Sequence, residues 1–254
     1  MLMALTLIVA AGCGGNEKQA SQGTDAGQTS QAAQTQEAQT QTEEKQEAGG
    51  QTSQAAASDQ GQNADNQQGQ AGADGGKIVV YFSRVGNSDF PADTDAVSSA
   101  SLMMDGGTLK GNAQKMAEWI ADEAGCSTFE IQAQDYYPAD YDETVDQAKS
   151  EQGQNFRPAL KTELKNLDSY DTIYLVFPNW WADLPMPVYT FFDTYDLSGK
   201  KINVFITHEG SGFSRTVSTI EGLEPDAEVT EALAVRGGSV PDSEVQIREW
   251  VSAH

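Results

Sequence analysis

Between residues 16 and 76 the chain has no Val, Ile, Leu, Met, Phe, Trp, Tyr or Cys. A segment without large apolar side chains cannot offset the entropy of ordering its backbone. These residues, dominated by Gln, Ala, Ser, Gly, Thr and Glu, therefore read as a disordered tether. A flexible coil of that length has a root-mean-square span of roughly 45 Å. The gap also places the fold: every large apolar side chain outside the first few residues falls after residue 76. The remaining stretch, 77–254, is long enough for one hydrophobic core.

Ahead of the gap, residues 2–12 form an uncharged apolar run. It is shorter than the about 20 residues that a helix needs to span a bilayer, and its length fits the apolar part of a secretory leader. The run ends in Ala10-Ala11-Gly12-Cys13, which resembles a bacterial lipobox. We expect residues 1–12 to be a signal peptide, Cys13 to be lipidated, and 13–76 to tether the domain to the outer face of the cell membrane. The membrane is then met through the lipid alone.

The net charge is −23, and the 16–76 segment has nine acids against two bases. The first fifteen residues carry none, which leaves −16 for residues 77–254. Such a field repels nucleic acid, which we exclude as a partner. Cys126 is the only cysteine besides Cys13, so the domain has no internal disulfide; buried packing is the commonest fate of such a thiol.

Within 77–254, short apolar runs alternate with helical patterns. Strands are predicted at 78–82, 128–131, 171–177, 202–206 and 229–235, with the second alternating like an edge strand. Helices are predicted through Met116, Ile120 and Ala124, over 141–152 and 187–195, through Val217 and Ile220, and over 243–251. This order predicts an α/β fold with a parallel sheet covered by helices on both faces. Open sheets of this kind bind ligands beyond the carboxyl ends of their strands, so the loops after the first, third and fourth strands are the candidate site.

The first of these loops begins Ser83-Arg84-Val85-Gly86-Asn87-Ser88 and, after an insertion at 84–110, resumes at Gly111-Asn112-Ala113. A helix start there offers free amides to an anion, with Asn112 as a suitable cap. Gly86-Asn87-Ser88 competes for that role, but no helical pattern follows it. The second loop, Pro178-Asn179-Trp180-Trp181, offers a flat apolar wall for a planar heteroaromatic ring; a protein-binding patch is the rival reading. The third, Thr207-His208-Glu209-Gly210-Ser211-Gly212-Phe213, lets backbone approach a ligand closely. The acid-rich Asp89, Asp93 and Asp95 lack the spacing of an EF-hand, so a solvated loop is expected.

Together the three loops resemble the flavodoxin-like family of bacterial FMN proteins. Tyr137-Pro138-Ala139-Asp140-Tyr141, Arg157-Pro158-Ala159-Leu160, Ser198-Gly199-Lys200 and Ala234-Val235-Arg236-Gly237 agree with it as well. The resemblance implies a doubly wound five-stranded sheet of order 2-1-3-4-5. It also implies non-covalent FMN, with Ser83, Gly111, Asn112 and Ala113 at the phosphate. On the same resemblance Pro178, Asn179, Trp180 and Trp181 are expected along the ring, one Trp stacking on it, and His208, Gly210 and Ser211 at its pyrimidine side. The chain departs from the family in having Gly-Asn-Ala where Gly-Asn-Thr is usual, which removes one hydroxyl.

The function this implies is electron transfer or flavin-dependent reduction with an unidentified redox partner. An NAD(P)H-dependent reductase and a flavin-free binding lipoprotein are the alternatives. No Gly-x-Gly-x-x-Gly follows a strand, so no dinucleotide domain is indicated. Ser211 and His208 lack the nucleophile elbow of a hydrolase.

Overall fold

The buried run that opens the domain forms the middle of a sheet in the computed structural model, which describes residues 76–94 and 101–254. The expected leader, the lipidation at Cys13, the tether and Asp95 lie outside the described residues. Five strands form one all-parallel sheet: β1 (Gly76–Tyr81), β4 (Ser127–Glu130), β5 (Tyr170–Pro178), β6 (Lys201–His208) and β7 (Glu228–Arg236). Their lateral order is β4-β1-β5-β6-β7. Counted along the chain among these five, that is 2-1-3-4-5, the flavodoxin-like order.

Burial on both faces explains why the central strands are apolar throughout. In β1 and β5, Ile78, Val80, Ile173, Leu175 and Phe177 enter one core, while Val79, Tyr81, Tyr174 and Val176 enter the other. Helices α1 (Asn112–Ala124) and α5 (Glu244–Ala253) cover the second face through Met116, Ile120, Ile247 and Val251. Helices α3 (Met186–Thr194) and α4 (Thr216–Leu223) cover the first through Val188, Phe191, Val217 and Ile220. Helix α2 (Tyr141–Gln154) is polar, and its N-cap Asp140 accepts a hydrogen bond from the Glu143 amide at 3.0 Å. The alternating strand is an edge strand, as its pattern predicted.

Two local features differ from expectation. The insertion contains an antiparallel hairpin, β2 (Leu102–Asp105) and β3 (Thr108–Gly111), turning at Gly106-Gly107. It is fastened to α1 by Lys115–Asp105 at 2.7 Å and by a Lys110–Glu118 ion pair, and Met103 is buried beside Met116 in the second core. Strand β3 therefore runs straight into α1, so Gly111, not Asn112, is the N-cap, and Asn112 is the first helical residue. The Gly111 amide donates to Gln114 Oε1 at 3.2 Å, and the Asn112 side chain is buried.

Candidate functional site

A cleft of about 250 Å³ opens beyond the carboxyl ends of β1, β5 and β6. This is where the strand-end rule for open sheets places ligands. Pro178, Asn179, Trp180, Trp181 and His208 line it, so the second loop and the start of the third meet as expected. Arg84 of the first loop and Ser101 of the insertion line it too. Helix α2 supplies the opposite wall through Tyr141, Thr144, Val145 and Ala148. No sequence signal marked that wall, because α2 is polar and follows the second strand rather than the first, third or fourth.

The Pro-Asn-Trp-Trp loop is held by a tight turn. The Trp180 amide donates to Asp183 O at 3.0 Å and the Asp183 amide to Trp180 O at 3.1 Å. The two residues between, Trp181 and Ala182, have φ of 54° and 62°. Left-handed backbone costs non-glycine residues about 1–2 kcal/mol each, so the neighbourhood must impose it. Asp183, 4% exposed, does so by accepting from Tyr189 Oη (2.8 Å), Arg215 Nε (2.8 Å) and Thr219 Oγ1 (3.0 Å). Burial and then the bond to Asp183 push the Tyr189 phenol up to about 12, which keeps it a donor.

The two tryptophans diverge. Trp180 turns inward and meets Phe82 and Tyr137 edge-on at 5.3 and 5.2 Å between centroids. Trp181 stays 43% exposed on the rim. Its Nε1 donates to Val145 O at 3.1 Å, and the Lys149 ammonium lies 4.9 Å from its ring centroid. One Trp thus belongs to the core's edge and the other to the cleft mouth.

Asn179 donates through Nδ2 to Gly212 O at 2.9 Å and Ser214 Oγ at 3.2 Å, tying the second loop to the third. Its Oδ1 is buried and accepts no hydrogen bond in this structure. A buried acceptor left without a donor costs about 1–3 kcal/mol, so this atom suits a ligand N–H. His208 Nδ1 accepts from the Gly210 amide at 2.8 Å. Gly210 and Ser211 do not line the cleft; that amide is used inside the loop, and Ser211 O accepts from Ser214 Oγ at 3.0 Å.

Ser83, Gly111, Asn112 and Ala113 gather at the start of α1 rather than in the cleft lining. Ser83 Oγ is buried and has no hydrogen-bond partner. A Cβ on Gly111 would fall 1.7 Å from that oxygen, so the hydroxyl reaches the helix start only because residue 111 is glycine. The Asn112 amide donates to Ser101 O at 2.9 Å, which joins this helix start to a cleft-lining residue; with the Gly111 amide on Gln114 Oε1, these two amides are not the free donors that the sequence led us to expect. An orphaned hydroxyl at a helix N-terminus fits a phosphate monoester, and a cleft with an orphaned acceptor and aromatic walls fits a ring bearing an N–H. The residues therefore fit FMN.

The competing Gly86-Asn87-Ser88 segment does different work. Asn87 is fully buried, and its Nδ2 donates to Ser83 O (2.9 Å) and Ile131 O (3.0 Å). Its Oδ1 accepts from the Ala133 amide at 2.7 Å. Gly86, with φ of 95°, lies against Glu130, and a Cβ there would stand 1.9 Å from Glu130 Oε1. Burial pushes the Glu130 carboxyl up to about 7, against the opposing bonds from Gln132 and Tyr81. Cys126 is half-buried, and desolvation pushes its thiol up to about 11, which disfavours the reactive thiolate.

Comparison with known proteins agrees with this architecture. No curated protein is significantly similar to the chain in sequence. A candidate flavoprotein from Bacteroides uniformis ATCC 8492 aligns at 24% identity and a TM-score of 0.52, over 70% of this chain and 98% of that one. One from Bacteroides eggerthii DSM 20697 aligns at 22% and 0.52, over 70% and 96%. These likenesses show the fold. The family profile described as Flavodoxin matches residues 101–254, beginning after β1 and within the insertion of the first loop, ahead of Gly111-Asn112-Ala113. That match spans more than half of the chain, and with the 2-1-3-4-5 sheet it establishes that the chain belongs to the flavodoxin family.

Proposed function

We propose that the domain binds FMN non-covalently and serves in electron transfer or flavin-dependent reduction with a separate redox partner. The observation that carries this reading is the pair of orphaned buried atoms: Ser83 Oγ at the Gly111 helix start and Asn179 Oδ1 in the cleft. Bound FMN would supply one- or two-electron redox chemistry. The chain's residues hold it: with the Gly111 and Asn112 amides engaged by Gln114 and Ser101, the unpartnered Ser83 hydroxyl and the positive end of the α1 dipole receive the phosphate, so the −16 domain needs no Lys or Arg there. Trp181 and the α2 wall shield the ring, and Asn179 orients it.

Titrating the domain with FMN tests this. Quenched flavin fluorescence, a perturbed absorbance band and a raised melting temperature are expected, with a micromolar or tighter Kd. Full retained fluorescence with no melting shift overturns the reading and favours a flavin-free binding role. We further propose that Cys13 is lipidated and tethers the domain outside the membrane. Cys13→Ser then moves the protein to the soluble fraction, whereas unchanged membrane retention refutes that anchor.

A further inference from the structure

Resting on the FMN reading, we infer that Arg84 sets the reduction potential of the flavin in this cleft by binding its anionic reduced ring more tightly than its neutral oxidised ring. Among the residues lining the cleft, Arg84 is the only Lys or Arg, and it is 2% exposed. A guanidinium keeps its proton in proteins, and a charge in a poorly solvated wall acts more strongly than one in water. The side chain is also held still. Nη2 donates to Ala139 O at 2.8 Å and Thr144 Oγ1 at 3.1 Å, and Cζ lies 5.1 Å from the Phe90 ring centroid.

Arg84 stands at the ring end of the site, not the phosphate end. It shares the cleft with Trp180, Trp181 and Asn179, whereas Ser83, Gly111, Asn112 and Ala113 do not line it. Its opponents are weaker at that point. Glu209 also lines the cleft, but it is exposed and pairs with Arg236 at 3.5 Å. Tyr141 and then Asp140, at the start of α2, act on Arg84 through space and are likewise exposed. Water and salt screen exposed charges of this kind. A bound flavin ring that took two electrons from a reductant and one proton from solvent would gain one net negative charge, and the fixed Arg84 cation would favour that form.

The test uses the full chain loaded with FMN and reduced by dithionite against a reference dye, as wild type, Arg84→Gln and Arg84→Lys. Arg84→Gln should weaken reduced FMN about tenfold relative to oxidised FMN, which lowers the two-electron potential by about 30 mV. Arg84→Lys, which keeps the charge but not the fork, should retain the wild-type ratio even where oxidised FMN binds more weakly. Equal weakening of both forms in Arg84→Gln, with riboflavin binding unchanged, would place Arg84 at the phosphate and overturn the inference. Should Arg84→Gln not fold, a chain that keeps Arg84 still decides. With His208, the cleft's imidazole, replaced by Gln so that it takes up no second proton, the potential should move between about pH 5 and 6 by about 30 mV per pH unit, one proton per two electrons; about 59 mV per unit overturns the inference. A wild type that binds no FMN refutes the cofactor reading itself, an outcome distinct from FMN bound with an unaltered ratio.

Discussion

Asn87 and Asn179 occupy comparable places, one in the loop after β1 and the other in the loop after β5, yet they are used in opposite ways. Asn87 spends every polar atom of its side chain inside the protein, on Ser83, Ile131 and Ala133. Asn179 spends only its amide group, on Gly212 and Ser214, and keeps a buried oxygen unused. The first pattern is that of a scaffold and the second that of a binding group. Residue type and loop position are the same, so neither separates the roles; the unsatisfied atom does.

The strongest way to break this contrast is to truncate the scaffold. Asn87→Ala leaves two carbonyls and an amide unpaired in a buried place, and we expect a loss of about 3–5 kcal/mol in urea unfolding. A loss below about 1 kcal/mol would show that the clasp is not structural.

The same loop should carry a pH dependence through its contact with Glu130. Glu130, against Gly86, has its carboxyl raised from 4.5 to about 7. Because the folded state holds this proton more tightly than the unfolded one, stability is full below about pH 4.5 and falls as pH rises towards 7. Comparing urea midpoints at those two ends, wild type should lose on the order of 2–3 kcal/mol more than Glu130→Gln. Parallel pH profiles for the two proteins would remove Glu130 from the account.

The smallest effect belongs to the binding group. Asn179→Ala should change unfolding by no more than about 1 kcal/mol, since it deletes two bonds but also an orphaned acceptor. It should weaken FMN about tenfold by fluorescence titration, the worth of roughly one hydrogen bond. If stability falls as far as in Asn87→Ala while FMN affinity holds, the two asparagines have the same role and the contrast fails.

Much of this was legible in the sequence, and for definable reasons. Runs such as Ile173–Phe177 are buried on both faces, so composition alone reveals the central strands. The three loops stand out because Gly, Pro and paired Trp are rare together between such runs. The β2–β3 hairpin was not legible: it is four residues a side, half exposed, and carries no alternating pattern long enough to detect. The Asn87 clasp was not legible either, since its partners at 131 and 133 lie 44 and 46 residues away. The left-handed Trp181 was hidden for a related reason. Its conformation is imposed by Asp183 and by residues of α3 and α4 that no local signal links to it.

The placement of the four tryptophans has an optical consequence. Trp180 and Trp181 line the cleft, while Trp119 and Trp250 pack in the core on the other side of the sheet. A chromophore in the cleft that absorbs where indole emits would darken the first pair far more than the second. The Trp119 and Trp250 pair would keep the larger share of its emission in the loaded protein, so occupancy can be followed in one cuvette without a dye.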